Sequence, residues 1–188
     1  MNVEPETFIR LVEDAGTLAT WDIETNNLKA DYGTVLVVSV KPYGAKPTTF
    51  TVEQVGNDQR VVREARDYLA TFDCWVTYFG KGFDVPFLNT RLLRHKLQPL
   101  DQVPHVDMFF QLKAKTVMGS KSMASYASFL KLKQQKMHIS PDTWGEVAYN
   151  KEHLPLLAKR CESDVAVLEQ LFDQADRKST RLNSSHRL

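Results

Sequence analysis

Two acids one residue apart, Asp22 and Glu24 in Trp21-Asp22-Ile23-Glu24-Thr25, are the first residues in this chain whose types and spacing suit chemistry. Side chains alternate across a strand, so a strand here turns both carboxylates to one face. Like charges that close raise each other's pKa unless a cation neutralises them, and a hard divalent metal takes such oxygen ligands readily. Taken alone, the pair also fits two solvated acids at a strand exit. Asp84 opens a helical pattern after the loop Gly80-Lys81-Gly82-Phe83. Asp is a preferred N-cap and Pro86 is tolerated in a first turn, so capping explains it. A carboxylate at a strand-to-helix junction can also face the same sheet edge as Asp22, with the glycines letting a polynucleotide approach the backbone. Asp164 fills a gap in the apolar stripe Leu157, Cys161, Leu168 and Leu171. A charge on that buried face is costly unless it is paired or binds a metal. The paired alternative is a salt bridge to Arg160 on the preceding turn.

Asp22, Glu24, Asp84 and Asp164 together make the set that two-metal phosphodiester hydrolysis needs, with two divalent cations, Mg²⁺ or Mn²⁺. One would activate the attacking water and the other would stabilise the leaving 3′ oxygen. Competing chemistries lack their residues. No Ser-His-Asp set stands out, the five histidines have no zinc spacing, and neither phosphate-binding glycine signature occurs. Cys74 and Cys161 each sit in an apolar run outside any C-x-x-C spacing and read as reduced packing residues.

The elements that must position these acids follow from periodicity. A helix is expected over Glu4 to Asp14, and strands over Thr17 to Glu24, Val35 to Tyr43 and Thr48 to Val52, forming an antiparallel meander. Helical spacing then runs through Val61, Val62, Ala65, Tyr68 and Leu69, and Cys74 to Phe79 returns to strand. A helix from Asp84 to about Lys96 and a short strand from His105 to Phe109 follow. After these come a lysine-bearing stretch, a helix over Ser122 to Leu130, an irregular span with Pro141 and Gly145, and a final helix from about His153 to Asp176. Three antiparallel strands, then alternating helices and strands, then a terminal helix describe an α/β domain with a mixed central sheet flanked by helices, the ribonuclease H-like order.

The chain has 188 residues, 43% of them hydrophobic, enough for one domain with a sizeable core. The last twelve residues, RKSTRLNSSHRL, are basic and without apolar period, and read as a disordered tail or as an artefact of sequencing or cloning, outside a domain spanning 1–176. The tail holds four of the 24 Lys and Arg and none of the 23 Asp and Glu, which leaves Met1 to Asp176 at a formal charge of −3. A mildly acidic body does not coat itself in phosphates, although a local groove with bound cations can still hold a strand. Lys113, Lys115, Lys121, Lys131, Lys133 and Lys136 form the basic interval that could contact it. No apolar stretch is long enough to span a bilayer, and the expectation is a soluble, cytoplasmic protein with no membrane partner. Trp21, Trp75, Phe87, Phe109, Phe110 and Trp144 read as packing residues rather than base-stacking platforms.

WDIETNNL, YFGKGFDVPFL and CESDVAVLEQLF resemble, in order and spacing, the three exonuclease motifs of the DEDD superfamily of 3′-to-5′ exonuclease domains, bacterial and phage members among them. HVDMF and KSMASYASFLKL resemble the segments between the second and third motifs. The resemblance implies that Asp22, Glu24, Asp84 and Asp164 are the catalytic metal ligands, Asp84 acting through water. It also implies that Thr25 and Phe83, with Asn26 beside them, line the terminal nucleotide of a single-stranded DNA or RNA 3′ end. Two departures stand out. Phe79 occupies the place where relatives commonly have Asn. Arg160 and Lys159 stand where a Tyr or His normally orients the attacking water, and neither is a general base at neutral pH. Arg160 could bind the scissile phosphate instead, with His105 or His153 assisting. The alternatives are a catalytically impaired nucleic-acid-binding domain of the same fold and a proofreading module of a larger polymerase system. His105 and Asp107 read as residues that order the short strand and its neighbours, with Asp107 able to support the site from behind.

Overall fold

The computed structural model describes residues 17–140, 145–146 and 149–184, with side chains described through Ala175 at the C-terminal end. The expected helix Glu4 to Asp14, Pro141 and Trp144 lie outside the described residues. The chain begins with β1 (Leu18–Thr25), β2 (Val35–Pro42) and β3 (Thr48–Thr51). Then follow α1 (Gln59–Leu69), β4 (Cys74–Thr77), α2 (Asp84–Arg94), β5 (His105–Asp107), α3 (Met108–Lys115), α4 (Met123–Phe129) and α5 (Leu154–Ser184). The five strands form one sheet in the order β3-β2-β1-β4-β5. β1 pairs antiparallel with β2, and β2 with β3, whereas β4 lies parallel to β1, and β5 to β4. This is the expected mixed α/β sheet flanked by helices.

β2 is a β-branched run buried from Val35 through Lys41, the mark of a strand covered on both faces. Ala19, Trp21 and Ile23 of β1 point into a core with Val61, Val62, Ala65 and Leu69 of α1 and Phe87, Leu88 and Leu92 of α2. The opposite face carries Leu18, Cys74, Val76 and Val106 against Met123, Tyr126 and Ala127 of α4 and Val167, Leu168, Leu171 and Phe172 of α5. Asp22 and Glu24 alternate onto this second face, toward α5.

Several element ends and caps differ from the sequence expectation. β4 ends at Thr77 rather than Phe79, because Phe79 adopts a left-handed backbone at φ 65° that no strand accommodates. β5 ends at Asp107 and the lysine-bearing stretch begins as a helix, since the Asp107 carboxylate accepts the Phe109 N–H at 3.1 Å and caps α3. Phe83, not Asp84, occupies the N-cap of α2, and no side chain caps that helix. α5 continues to Ser184, past the end expected at Asp176, because each residue added to a helix already anchored in the core gains a hydrogen bond without a new nucleation step.

Candidate functional site

β1 outruns its parallel neighbour. Thr20 pairs with Val76, the last pair between β1 and β4, so the five residues Trp21 to Thr25 of β1 have no strand partner on that side. The Ile23 N–H left open by this divergence is taken by Asp84 Oδ1 at 3.1 Å. Asp84 therefore uses one oxygen to hold α2 to the end of β1. On the other edge, β1 and β2 slip register between Glu24 and Thr25, a bulge of the kind that re-aims side chains beside a site. From the helix side, Thr20 Oγ1 donates to the Val165 carbonyl at 3.2 Å, and the Cys161 thiol lies 3.3 Å from the Asp22 carbonyl. These contacts press α5 onto β1 and bring Asp164 over the strand.

As a result, Asp22, Glu24 and Asp164 each place a carboxylate oxygen within 4.8 Å of the others. Glu24 and Asp164 are almost wholly buried, and Glu24 Oε1 and Asp164 Oδ1 have no hydrogen-bond donor. Buried carboxylate oxygens without donors are costly unless a cation meets them. The donor set, three hard oxygens at chelating separation, fits a divalent cation. Asp84 stands outside this triple.

Two cationic side chains approach the same acids. Lys136 Nζ forms an ion pair with Asp164 Oδ2. Arg160 Nε lies 3.2 Å from Glu24 Oε1, near enough to attract it but off the line of a hydrogen bond. The salt-bridge alternative for Asp164 is thus realised by Lys136, from the basic interval, while Arg160 turns to Glu24. These cations do not balance the cluster. Burial, and then the charge of Asp164, push Asp22 up to about 7, although Lys136 and Arg160 pull the other way. Glu24 is pushed up to about 8 by burial and by Asp22. Burial and Asp22 hold Asp84 well above the usual carboxylate range, and burial raises Asp164 despite Lys136. Burial works against the charge on Lys136, but Asp164 and Asp22 outweigh it and keep the ammonium above its usual value.

The loop between β4 and α2 is set by Asp107. Its carboxylate accepts the N–H groups of Phe79 and Lys81, both at 2.9 Å, in addition to that of Phe109, so it orders the loop as expected. Gly80 is required here: a Cβ would stand 2.3 Å from Thr77 Oγ1 and 2.5 Å from Thr77 Cβ. On the far side, Asn26 Oδ1 accepts the Thr34 N–H at 2.7 Å and Thr25 Oγ1 donates to the Asn27 carbonyl at 2.8 Å, closing the loop that follows β1.

Between these two loops lies an open cleft of about 750 Å³. Asp22, Glu24, Asp84, Asp164, Thr25, Asn26, Phe83 and Arg160 all line it, so the eight expected site residues converge. Tyr78 and Phe79, which the second motif places near the substrate, line it too, whereas His138 and Ile139 have no signal in the sequence and Lys136 does not stand out within the basic interval. Lys136 lies far from the motifs along the chain, and only the ion pair with Asp164 reveals its place. The histidine expectation also changes. His105 bonds Thr77 Oγ1 at 2.8 Å and burial, then Lys81, lower its pKa to about 4, while the histidine lining the cleft is His138 rather than His105 or His153. A second cleft of equal volume, beside Val52–Arg63, has Glu53 as the only carboxylate among its described lining residues.

The profile of the RNase H superfamily matches residues 20–176. No curated protein sequence matches the chain. Among solved structures, the chain is similar to the family B DNA polymerase from the hyperthermophilic archaeon Pyrobaculum calidifontis, with a TM-score of 0.74 and 19% identity. That superposition covers 84% of this chain and 24% of the polymerase, so the likeness is one of fold and concerns about a quarter of the longer protein. No helix among the described residues is long and apolar enough to cross a membrane. With its five-stranded mixed sheet, and a profile match that takes in all four acids, the chain belongs to the RNase H superfamily.

Proposed function

We propose that this protein is a 3′-to-5′ exonuclease that removes nucleotides from single-stranded DNA or RNA with the help of two divalent cations, Mg²⁺ or Mn²⁺. The observation that carries the reading is the chelating triple of Asp22, Glu24 and Asp164, with buried oxygens on Glu24 and Asp164 that no donor satisfies. These three carboxylates would hold the cations directly. Asp84, with one oxygen committed to Ile23, would act through water. When bound, the cations would supply the positive charge that activates the attacking water and offsets the charge growing on the phosphate and the leaving oxygen. Thr25, Asn26 and Phe83 line the same cleft and would embrace the terminal nucleotide. Arg160 would neutralise the scissile phosphate rather than accept a proton, because a guanidinium stays protonated at any working pH. Likeness to a portion of a DNA polymerase supports proofreading beside a polymerase as one setting for the activity.

The purified protein, a 5′-labelled single-stranded oligonucleotide and Mn²⁺ test this directly. A ladder shortening from the 3′ end, abolished by chelator and by Asp22→Ala or Asp164→Ala, is the expected result. The ion pair of Lys136 with Asp164 and the approach of Arg160 to Glu24 favour a second reading, in which resident cations replace the metals and the domain binds strands without cutting them. Retained binding without any ladder selects that reading.

A further inference from the structure

Phe79 combines three features that are hard to reconcile with simple packing. Its backbone is left-handed at φ 65°, a conformation that a bulky residue adopts only when its surroundings impose it. The imposition is visible: Asp107 fixes its N–H, and the loop resumes through Gly82, where a Cβ would stand 2.5 Å from the Phe79 ring. Yet the ring is 42% exposed, and it lines the cleft that holds the carboxylates. The loop thus presents an aromatic face to the cleft instead of burying it.

Two further rings, outside the cleft lining, extend that face beyond Phe79. Phe109 meets Phe79 edge to face with centroids 5.0 Å apart, and Phe110 lies 5.9 Å from Phe79 at a tilt of 38°. Phe110, expected to pack, is 45% exposed, whereas Phe109 is half-buried and braced by Tyr78 at 5.9 Å. Lys113 sits over Phe109 at 5.6 Å, and Lys81 belongs to the same loop as Phe79. Exposed aromatic faces flanked by ammonium groups, continuous with a cleft that ends in carboxylates, match the chemistry of an unpaired nucleobase and its phosphates. Bases stack on such rings irrespective of sequence, and lysines beside them meet the backbone.

We infer that Phe79 and Phe110 form a stacking platform, supported by Phe109, for an unpaired base of a single-stranded nucleic acid upstream of the nucleotide at the carboxylates. The inference rests on the exonuclease reading for the direction of the strand. It makes Phe79 a substrate-binding residue.

The test is an abasic scan. Single-stranded oligonucleotides of one length, each with one abasic site at a stated distance from the 3′ end, are titrated against the intact protein in Ca²⁺ by fluorescence anisotropy. Phe79→Asn tolerates the left-handed backbone while removing the ring, and Phe110→Ala alters an exposed helical position, so both variants keep the fold; a thermal melt checks this. The expected result is that one or two positions upstream of the 3′ end weaken binding on the order of tenfold when the base is removed, and that this dependence vanishes in both variants. A flat scan, or a position dependence that the variants keep, overturns the platform while 3′ trimming by the same protein leaves the exonuclease reading intact. If no oligonucleotide is bound or trimmed, both fall together, and the aromatic face belongs to a protein interface.

Discussion

At the scale of single residues, the acids are held in a state that a divalent cation should release. The carboxyl pKa values of Asp22 and Glu24 rise from 3.8 and 4.5 to about 7 and about 8 because burial, and then the charge of Asp164 on Asp22 and of Asp22 on Glu24, penalise their charged forms. Groups raised on folding contribute stability that is full below their unfolded values and is lost as pH rises through the folded ones. In chelator, the melting temperature should therefore fall as pH rises from about 4, near the unfolded values, to about 8, and Mn²⁺ should restore it; a pH-independent melt in chelator would contradict this. Binding of Mn²⁺ at pH 7 should likewise release protons, read by calorimetry in buffers of different ionisation enthalpy. Lys136 opposes the metal from the same site, since its ammonium pairs with Asp164. Lys136→Gln should then bind Mn²⁺ severalfold more tightly while melting lower in chelator, and an unchanged affinity would show that the ammonium moves aside without penalty. This opposition was invisible in the sequence, where Lys136 is one lysine among six. The four acids were legible, because a carboxylate pair at strand spacing and a charge on an apolar helical stripe are local patterns.

Elements position the cleft by closing its two loops, and each closure rests on a buried carboxylate. Asp107 does this for residues 79–81, and Asp58 does it for residues 26–34. Asp58 is fully buried, accepts the Val35 N–H at 2.9 Å, and pairs with Arg91 at 2.8 Å and His95 at 2.7 Å; Arg91 in turn reaches the Ala30 carbonyl at 3.0 Å. Removing one partner of such a pair strands a buried charge, so Arg91→Met should lose about 3–5 kcal/mol by urea unfolding and speed amide exchange across residues 26–34. Burial alone would raise the Asp58 pKa, but Arg91, His95 and the Val35 N–H outweigh it and hold it below 3.8. Its contribution is therefore present above pH 3.8 and is lost as pH falls from there toward the lower folded value. Neither network could be read from the chain, since Asp58 and Arg91 lie in separate helical patterns. The start of α3 was legible in principle, as Asp107 precedes Met-Phe-Phe-Gln-Leu in N-cap position, but the β-branched and aromatic flank His105 to Phe109 read as strand throughout.

For the molecule as a whole, element order and sheet class followed from alternating periodicity, because each apolar pattern has one face to bury and few ways to bury it. What the chain does to a polynucleotide depends instead on where its charges lie in space. The body carries a formal charge of −3 through Asp176, and the cations placed among the described residues at the cleft and beside its aromatic face are Lys136 and Arg160, with Lys81 and Lys113 next to the rings. Each phosphate neutralised on a single strand contributes about −0.7 to the slope of log K against log salt, so four contacts give a slope no steeper than about −3. The twelve residues after Asp176 hold four more Lys and Arg. Were those engaged, the slope would approach about twice that value. Titrating a single-stranded oligonucleotide in Ca²⁺ at several salt concentrations, with the chain intact and with residues 177–188 deleted, separates the two sources of charge. The expected outcome is a shallow slope that deletion leaves unchanged, with stacking supplying the salt-independent remainder. A slope that halves on deletion would assign much of the affinity to the tail and correspondingly little to the cleft.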